Sequence, residues 1–174
     1  MPHDPAELIR LHGGKKRFTE HLDSCSQCTF PTASFAETED ITREGIIGNY
    51  VHGNEPSHHV PYLYNHAGAP KKTQYWVRYI MDHKYLLNGW IKWQRRLRAD
   101  ECLVRVQRLG FYPVAPGSDR YDSGSPLVKE ATLTLENGNT FNVKTANQGP
   151  DNIYVRRAEL NGTKLDRLGS PTMR

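Results

Sequence analysis

The sequence has 174 residues and a mass of 19.9 kDa, which suffices for one ordinary domain or at most two small ones. Hydrophobic residues make up 37% of the chain and charged residues 24%, and the mean hydropathy is −0.71, so the chain is polar and no apolar run could span a bilayer. Three cysteines exclude a disulfide scaffold, and the first residues lack the basic and apolar regions of a signal peptide. The sequence therefore predicts neither a membrane span nor a signal peptide.

The net charge of +4 and the isoelectric point of about 9.0 would ordinarily suggest a nucleic-acid partner. The excess of positive charge is confined to residues 88–108, which hold six basic and two acidic residues. The rest of the chain is balanced, with 17 basic and 17 acidic residues. Because one short segment supplies the whole imbalance, we expect no nucleic acid among the partners.

Helical signals begin close to the N-terminus. Asp4 is suited to cap a helix, Pro5 stands at its first position, and the glycine pair at 13–14 ends it. A second short helix is predicted over 15–22, and the polar residues of 23–45 indicate a loop.

The middle of the chain contains two prolines that are placed to start helices. Pro56 predicts a helix that runs through Asn65, and Pro70 predicts the next one, which ends at about Leu87. The first two-thirds of the chain are therefore expected to be helical.

The pattern of apolar and polar residues changes after Gly110. Apolar and polar residues alternate over 131–135 and again over 141–143, and Asn-Gly at 137–138 predicts a hairpin turn between them. A third strand is predicted over 153–158, followed by a second Asn-Gly turn at 161–162. The predicted fold class is mainly α with a C-terminal antiparallel β-unit.

Cys25 and Cys28 have the spacing of a redox pair or of half a zinc site. A zinc site needs a second pair of ligands and a redox motif needs a βαβ unit, and the sequence shows neither. Cys102 is distant in the sequence, so we interpret the cysteines as incidental.

The densest group of polar side chains is the segment GNEPSHH at 53–59, which combines an amide, a carboxylate, a hydroxyl and two imidazoles. Oxygen donors of this kind suit a hard cation such as Ca²⁺, and a carboxylate beside histidines could bind sugar hydroxyls or transfer protons. The alternative is a capped helix start with surface histidines. The residues concerned are Asn54, Glu55, Ser57, His58 and His59.

Several aromatic residues follow this segment and could form a platform for stacking sugars. Aromatic residues at such spacing are more often part of a core, so they decide nothing alone. They are Tyr62, Tyr64, Tyr75, Trp76 and Tyr79.

Residues 48–65 read GNYVHGNEPSHHVPYLYN, and this unbroken motif closely resembles a signature of glycoside hydrolase family 92. Other stretches resemble the same family and extend the resemblance over nearly the whole chain. They are PHD at 2–4, GGK at 13–15, LGFYPV at 109–114, GSPL at 124–127, NG at 137–138 with Phe141, NIY at 152–154 and LNG at 160–162.

The resemblance implies the C-terminal part of a larger exo-acting α-mannosidase, many relatives of which cut α-1,2 linkages. Such an enzyme has an N-terminal β-sandwich and an (α/α)6 barrel, so residues 1–115 would belong to the barrel and residues 116–174 to a C-terminal β-strand region of the same domain. Members of the family are usually exported to the periplasm or the cell surface.

The resemblance also implies a site. The family is calcium-dependent and inverting, so Ca²⁺ is the expected cofactor, with Asn54 and Glu55 as its ligands. Glu55, His58 and His59 are the expected substrate-binding residues.

Two features depart from the family pattern. The family's general acid lies upstream of the PHD motif, so we expect this chain to lack it. The family segment with the catalytic-base aspartate contains Asn-Glu-Asp-Cys-Gly-Gln-Met-Ser-Ala-Trp-Tyr-Val-Phe-Ser-Ala, and residues 88–108 replace it with a basic sequence in which Asp100 and Glu101 do not serve instead. No catalytic residue is therefore assigned, and the chain alone is expected to be inactive.

The genetic code offers a reason for the second departure. If suitable synonymous codons are written for residues 94–109, the same bases read one nucleotide later encode the family segment quoted above. Our hypothesis is a compensated pair of frameshifts, with the family frame kept to about Leu87 and restored from about Leu109. Because burying unpaired charge is costly, the replaced segment should pack poorly or stay on the surface.

The sequence thus predicts the C-terminal part of a family 92 hydrolase that removes terminal α-linked mannose from glycans by calcium-dependent inverting hydrolysis. Its expected partners are mannose-containing glycans and the missing N-terminal part of the enzyme. The alternative is a non-catalytic carbohydrate-binding or scaffold fragment that uses the aromatic residues and the β-unit.

Overall fold

The structure is a computed structural model that describes residues 3–27, 46–52, 55–85, 104–115 and 117–165. The predictions for Asn54, for Cys28 and for most of the replaced segment lie outside the described residues. Within the described part, helices predominate up to residue 85 with one strand pair at 46–51 among them, and the other short antiparallel strand pairs follow, so the coarse architecture predicted from the sequence is confirmed.

The chain begins with two helices, α1 (Pro5–Leu11) and α2 (Lys15–Gln27). Asp4 caps α1, since its carboxylate accepts the Glu7 backbone N–H at 2.9 Å, as predicted.

The predicted loop beginning at residue 23 is wrong for residues 23–27, which extend α2. Its polar residues remain helical because serine hydroxyls bond back to carbonyl groups of the preceding turn. Ser24 Oγ donates to the His21 carbonyl at 2.7 Å, and Ser26 Oγ donates to the Leu22 carbonyl at 3.2 Å.

A short hairpin and a series of tight helical turns follow α2. Strands β1 (Ile46–Ile47) and β2 (Tyr50–Val51) pair antiparallel, although no local pattern predicts a strand there. The helix predicted over 56–65 is instead divided into two 3₁₀ turns, Glu55–Ser57 and Val60–Tyr62, and α3 (Leu63–His66).

The division is explained by Pro61, which has no N–H to donate and therefore begins a new turn rather than continuing an old one. The next helix, α4 (Pro70–Ile80), starts at Pro70 as predicted and continues as a single π-turn, Met81–Tyr85. Its predicted end at Leu87 lies outside the described residues.

The hydrophobic core lies between these helices. Tyr62, Tyr64, Val77 and Ile80 are almost completely buried in it, and Tyr62 stacks on Tyr112 with ring centroids 4.9 Å apart. Phe18 and Leu22 supply the apolar face of α2, so α2 and α4 share one core.

The C-terminal part consists of short antiparallel pairs. Strand β3 (Phe111–Tyr112) pairs with β4 (Asp122–Ser123), β5 (Glu130–Thr134) with β6 (Thr140–Lys144), and β7 (Glu159–Leu160) with β8 (Thr163–Lys164). The helical residues 104–108 lead into β3.

The third strand predicted over 153–158 is wrong, because its backbone groups bond to side chains instead of a neighbouring strand. The Val155 N–H donates to Gln74 Oε1 at 3.0 Å, and the Ile153 carbonyl accepts Ser125 Oγ at 2.6 Å. Residues 152–158 therefore run along α4 without forming a ladder.

Both predicted Asn-Gly turns are confirmed, but they differ in type. Asn161 and Gly162 have φ values of 51° and 78°, the two positive angles of a two-residue type I′ turn. In the β5–β6 turn only Gly138 has a positive φ, of 82°. The Leu135 N–H donates to the Asn139 carbonyl at 2.8 Å, and this bond closes a three-residue loop.

Among the described residues, the helices are too short or too polar to cross a membrane.

Candidate functional site

The GNEPSHH segment lies between β2 and the second 3₁₀ turn. Its first two residues, Gly53 and Asn54, lie outside the described part, and Glu55 begins the first 3₁₀ turn with only its backbone described. The remaining residues, 56–59, are described, and they show how the segment is anchored.

A buried cluster of three side chains holds both ends of the segment. The Tyr50 hydroxyl contacts His52 Nδ1 and donates to the Ser57 carbonyl at 3.1 Å. The rings of His52 and His58 lie 4.8 Å apart at an angle of 31°, and each residue is only 1% exposed. These contacts join the residues just before the segment, Tyr50 and His52, to Ser57 and His58 within it.

The hydrogen bonds of Tyr50 assign the tautomer of His52. Because the single Tyr50 proton goes to the Ser57 carbonyl, His52 Nδ1 must donate to the phenol oxygen. In the neutral ring the other nitrogen, Nε2, is then an acceptor.

Burial favours the neutral forms of His52 and His59. It lowers the pKa of His52 well below the usual value of 6.5, and the neighbouring His58 lowers it further. Burial also lowers the pKa of His59, although a hydrogen bond with the Pro56 backbone opposes the shift. His52 is therefore a neutral hydrogen-bonding group at physiological pH.

The turn between β1 and β2 rests directly on the end of α2. The Asn49 N–H donates to the Cys25 carbonyl at 2.7 Å, and Gly48 lies against the same turn of helix with a φ of 61°. The part of α2 beyond residue 22 thus holds in place the turn that leads to Tyr50 and His52.

A second buried network fixes the helix that follows the segment. Asp122 accepts His66 Nε2 at 3.0 Å and Asn65 Nδ2 at 3.4 Å, and Asn65 also donates to the Ser123 carbonyl at 2.9 Å. Because Asp122 is 3% exposed, this network joins α3 to β4 away from water.

The predicted site residues are thus placed differently from one another. His58 is buried against His52, His59 is half-buried, and the side chains of Asn54 and Glu55 lie outside the described residues. Tyr50 and His52 are not among the predicted site residues, and β2 ends at Val51, so no strand periodicity links His52 to Tyr50.

The GNEPSHH segment offers oxygen donors that suit Ca²⁺. Amide and carboxylate oxygens such as those of Asn54 and Glu55 are the ligand types that Ca²⁺ prefers. The described residues contain no cluster of three histidine, cysteine, aspartate or glutamate side chains that could hold a metal. Asn54 and Glu55 are therefore suitable ligand types for Ca²⁺. The ion coordinates six to eight oxygens, so further donors are needed.

The five aromatic residues considered as a sugar platform are divided between core and surface. Tyr62 and Tyr64 belong to the core, and Trp76 and Tyr79 are partly buried against it, whereas Tyr75 is 42% exposed with its ring against those two. Cys25, in α2, is a free thiol.

Comparisons with known proteins agree on one family. A model of the glycosyl hydrolase family 92 catalytic domain matches residues 1–172. Two similar solved structures come from Bacteroides thetaiotaomicron. The family GH92 α-mannosidase BT3965 in complex with mannoimidazole is 36% identical, with a TM-score of 0.75 over 91% of this chain and 20% of that chain. The family GH92 inverting mannosidase BT2199 is 32% identical, with a TM-score of 0.70 over 98% of this chain and 24% of that chain.

A curated relative from Arthroderma benhamiae, described as an uncharacterized secreted glycosidase, is 26% identical over 171 residues, which are 96% of this chain and 20% of the relative. The chain therefore spans about a fifth of the length of the relatives it matches.

Proposed function

The chain belongs to glycosyl hydrolase family 92, and from this membership we propose that it supplies the calcium- and mannose-contacting part of an α-mannosidase catalytic domain. The observation that carries the proposal is the buried Tyr50–His52–His58 cluster, which joins the residues just before the GNEPSHH segment to Ser57 and His58 within it. A loop that must present several polar groups to one sugar has to be fixed in this way, because small displacements weaken a binding site strongly.

We assign the calcium ligands to Asn54 and Glu55. When bound, the ion would orient mannose hydroxyls and stabilise the negative charge of coordinating oxygens. Glu55 would also contact the sugar, together with His59. His58 would act mainly through its ring contact with His52, which sets the position of the loop.

The helices α1 to α4 would be part of the family's (α/α)6 barrel, with the strand pairs after residue 110 packed at its end. The resemblance of the fold to the two mannosidases supports this placement. We further propose that the whole protein is exported, as the description of the secreted relative suggests. Fractionation of the native cells tests this, since a purely cytosolic protein would contradict it.

Hydrolysis needs more than this loop. An inverting glycosidase uses a general acid and a general base with carboxyl groups about 6.5–9.5 Å apart. The family's general acid is expected upstream of the PHD motif, and residues 88–108 replace the segment of the general base.

We therefore expect the purified 174-residue chain to release no mannose from α-mannosides with added Ca²⁺. Mannose release is measured by a coupled assay against the heat-denatured chain as the blank. Release that depends on Ca²⁺ and is abolished by EGTA would show that the chain already holds both proton-transfer groups.

The frameshift hypothesis gains support from Gln107, in the helical residues 104–108. Its side chain is 1% exposed, and Nε2 has no hydrogen-bond partner among the described residues. In the shifted reading, this codon and the next one encode serine, so the family does not place an amide here. An unsatisfied buried amide costs about 1–3 kcal/mol.

Removing that amide should therefore stabilise the chain. We expect Gln107→Met to raise the free energy of unfolding by about 1 kcal/mol, because a chain of similar shape replaces the unpaired group. Gln74→Met is the matched control, since Gln74 is equally buried but accepts the Val155 N–H, and it should lower stability by about 1–3 kcal/mol. Urea denaturation measures both changes, and a loss of stability in both variants would contradict the prediction.

The genomic DNA tests the hypothesis itself. If codons 88–109 can be read one nucleotide later as the family segment, the frameshift pair is established. If the bases at these codons do not permit that reading, the basic segment is an authentic part of the protein and the hypothesis is wrong.

A second function, carbohydrate binding without catalysis, is favoured by one observation. Tyr75 and Tyr154 are both exposed and line one cleft on the surface of α4.

A further inference from the structure

An open cleft of about 240 Å³ lies between the end of α2 and the outer face of α4. Three aromatic side chains, Tyr75, Trp76 and Tyr154, line it together with polar groups that include Asp23 and Gln27. None of the described residues of the GNEPSHH segment takes part, so the cleft is separate from the site proposed above.

Two of the three aromatic residues of the cleft, Tyr75 and Tyr154, are exposed, and Trp76 is partly buried against the core. Tyr75 is 42% exposed, yet its ring meets Trp76 edge to face at 5.2 Å and stacks on Tyr79 at 6.2 Å. Tyr79 in turn stacks on His83 at 4.1 Å. A ring fixed by such contacts loses little conformational freedom when a ligand packs against it.

Tyr154 reaches the cleft because the chain beside it is bonded to α4. The adjacent Val155 N–H donates to Gln74 Oε1, and this bond replaces the strand ladder that the sequence had suggested. Tyr154 remains 50% exposed. The segment thus places its ring in the same cleft as Tyr75 and Trp76.

The polar side of the cleft is also organised. The carboxylate of Asp23 accepts the Tyr64 hydroxyl at 3.0 Å and is paired with the ammonium group of Lys72. The Gln27 amide and the Lys71 ammonium add further polar groups to the lining of the cleft.

We propose that this cleft is a second carbohydrate site, which binds the pyranose ring of a neutral glycan. The C–H face of a pyranose packs on aromatic rings, while its hydroxyls both donate and accept hydrogen bonds, so the ligand matches aromatic walls with a carboxylate and an amide beside them. The site would hold a glycan chain near the enzyme without taking part in the cleavage of its terminal residue.

The test is an NMR titration of the ¹⁵N-labelled 174-residue chain with methyl α-D-mannopyranoside in EGTA, which removes calcium from the other site. We expect saturable shift changes at Tyr75, Trp76 and Tyr154. Tyr75→Ala should weaken binding about threefold to tenfold, and Tyr75→Trp should retain it. The matched control is Leu135→Ala, which removes another exposed apolar side chain, 47% exposed, outside the cleft.

Three results would overturn the proposal: no saturable change in EGTA, changes confined to residues outside the cleft, or equal weakening by Leu135→Ala. Thermal denaturation of each variant confirms that it is folded before binding is judged. Binding that persists in EGTA and is weakened by Tyr75→Ala belongs to the cleft, whereas binding that needs Ca²⁺ belongs to the other site, so failure of the calcium site and failure of the cleft are distinguishable.

Discussion

Replacing Gly48 by alanine should lower the free energy of unfolding by more than about 3 kcal/mol. The φ of 61° costs any L-residue about 1–2 kcal/mol, and a Cβ at this position would lie 2.3 Å from the Cys25 carbonyl oxygen and 2.8 Å from the Ser26 carbonyl carbon. These are backbone atoms that cannot rotate away, so the turn must leave α2 and the bond from Asn49 to Cys25 must break.

Gly138→Ala is the control that separates the two causes. Gly138 has a φ of 82° but nothing within 4 Å of an added Cβ, so this variant should lose only about 1–2 kcal/mol. Urea denaturation of both variants checks the prediction. Equal losses would mean that the contact with α2 contributes nothing to stability, and that α2 does not hold Tyr50 and His52 in place.

Arg78→Met should lower the free energy of unfolding by about 2–3 kcal/mol, although it removes a buried charge. The guanidinium donates to the Pro126 carbonyl at 2.9 Å, to Ser125 Oγ at 3.3 Å and to the Gly149 carbonyl at 3.4 Å, and Arg78 itself is 4% exposed. Methionine fills much of the space but satisfies none of these acceptors, so residues 125–149 lose these three bonds to α4.

Chemical denaturation with Arg10→Ala as the control measures this effect. Arg10 is paired with Glu7 on the exposed side of α1, and the loss of such a surface pair should leave the unfolding midpoint unchanged. An Arg78→Met midpoint equal to that of the parent would show that residues 125–149 are held by other contacts.

Much of the fold could be predicted where a local signal coincides with the final structure. The Asp4 cap, the start of α4 at Pro70 and the β5–β6 hairpin depend on nearest neighbours, and all three are confirmed. The end of α2 could not be predicted, because serines that usually favour loops bond to helix carbonyls there. Residues 153–158 alternate like a strand, but side chains distant in sequence take up their backbone groups.

The candidate site was predictable in composition but not in arrangement. The high density of polar residues in GNEPSHH indicated a candidate site, and the resemblance to the family indicated which ligands it would bind. The Tyr50–His52–His58 cluster could not be derived, because it depends on a two-residue strand whose length is below what periodicity can detect. The partners of Asp122 are 56 and 57 residues distant, so no local pattern indicates them.

The central claim is that the GNEPSHH loop binds mannose through Ca²⁺. Its most direct test is a calorimetric titration of mannose into the chain with Tyr75→Ala and Tyr154→Ala, which removes the contribution of the cleft. We predict weak binding, with a Kd on the order of millimolar, that requires Ca²⁺ and is lost in EGTA and in Glu55→Gln. Binding that is absent with Ca²⁺, or that persists in EGTA or after Glu55→Gln, would contradict the assignment of this loop.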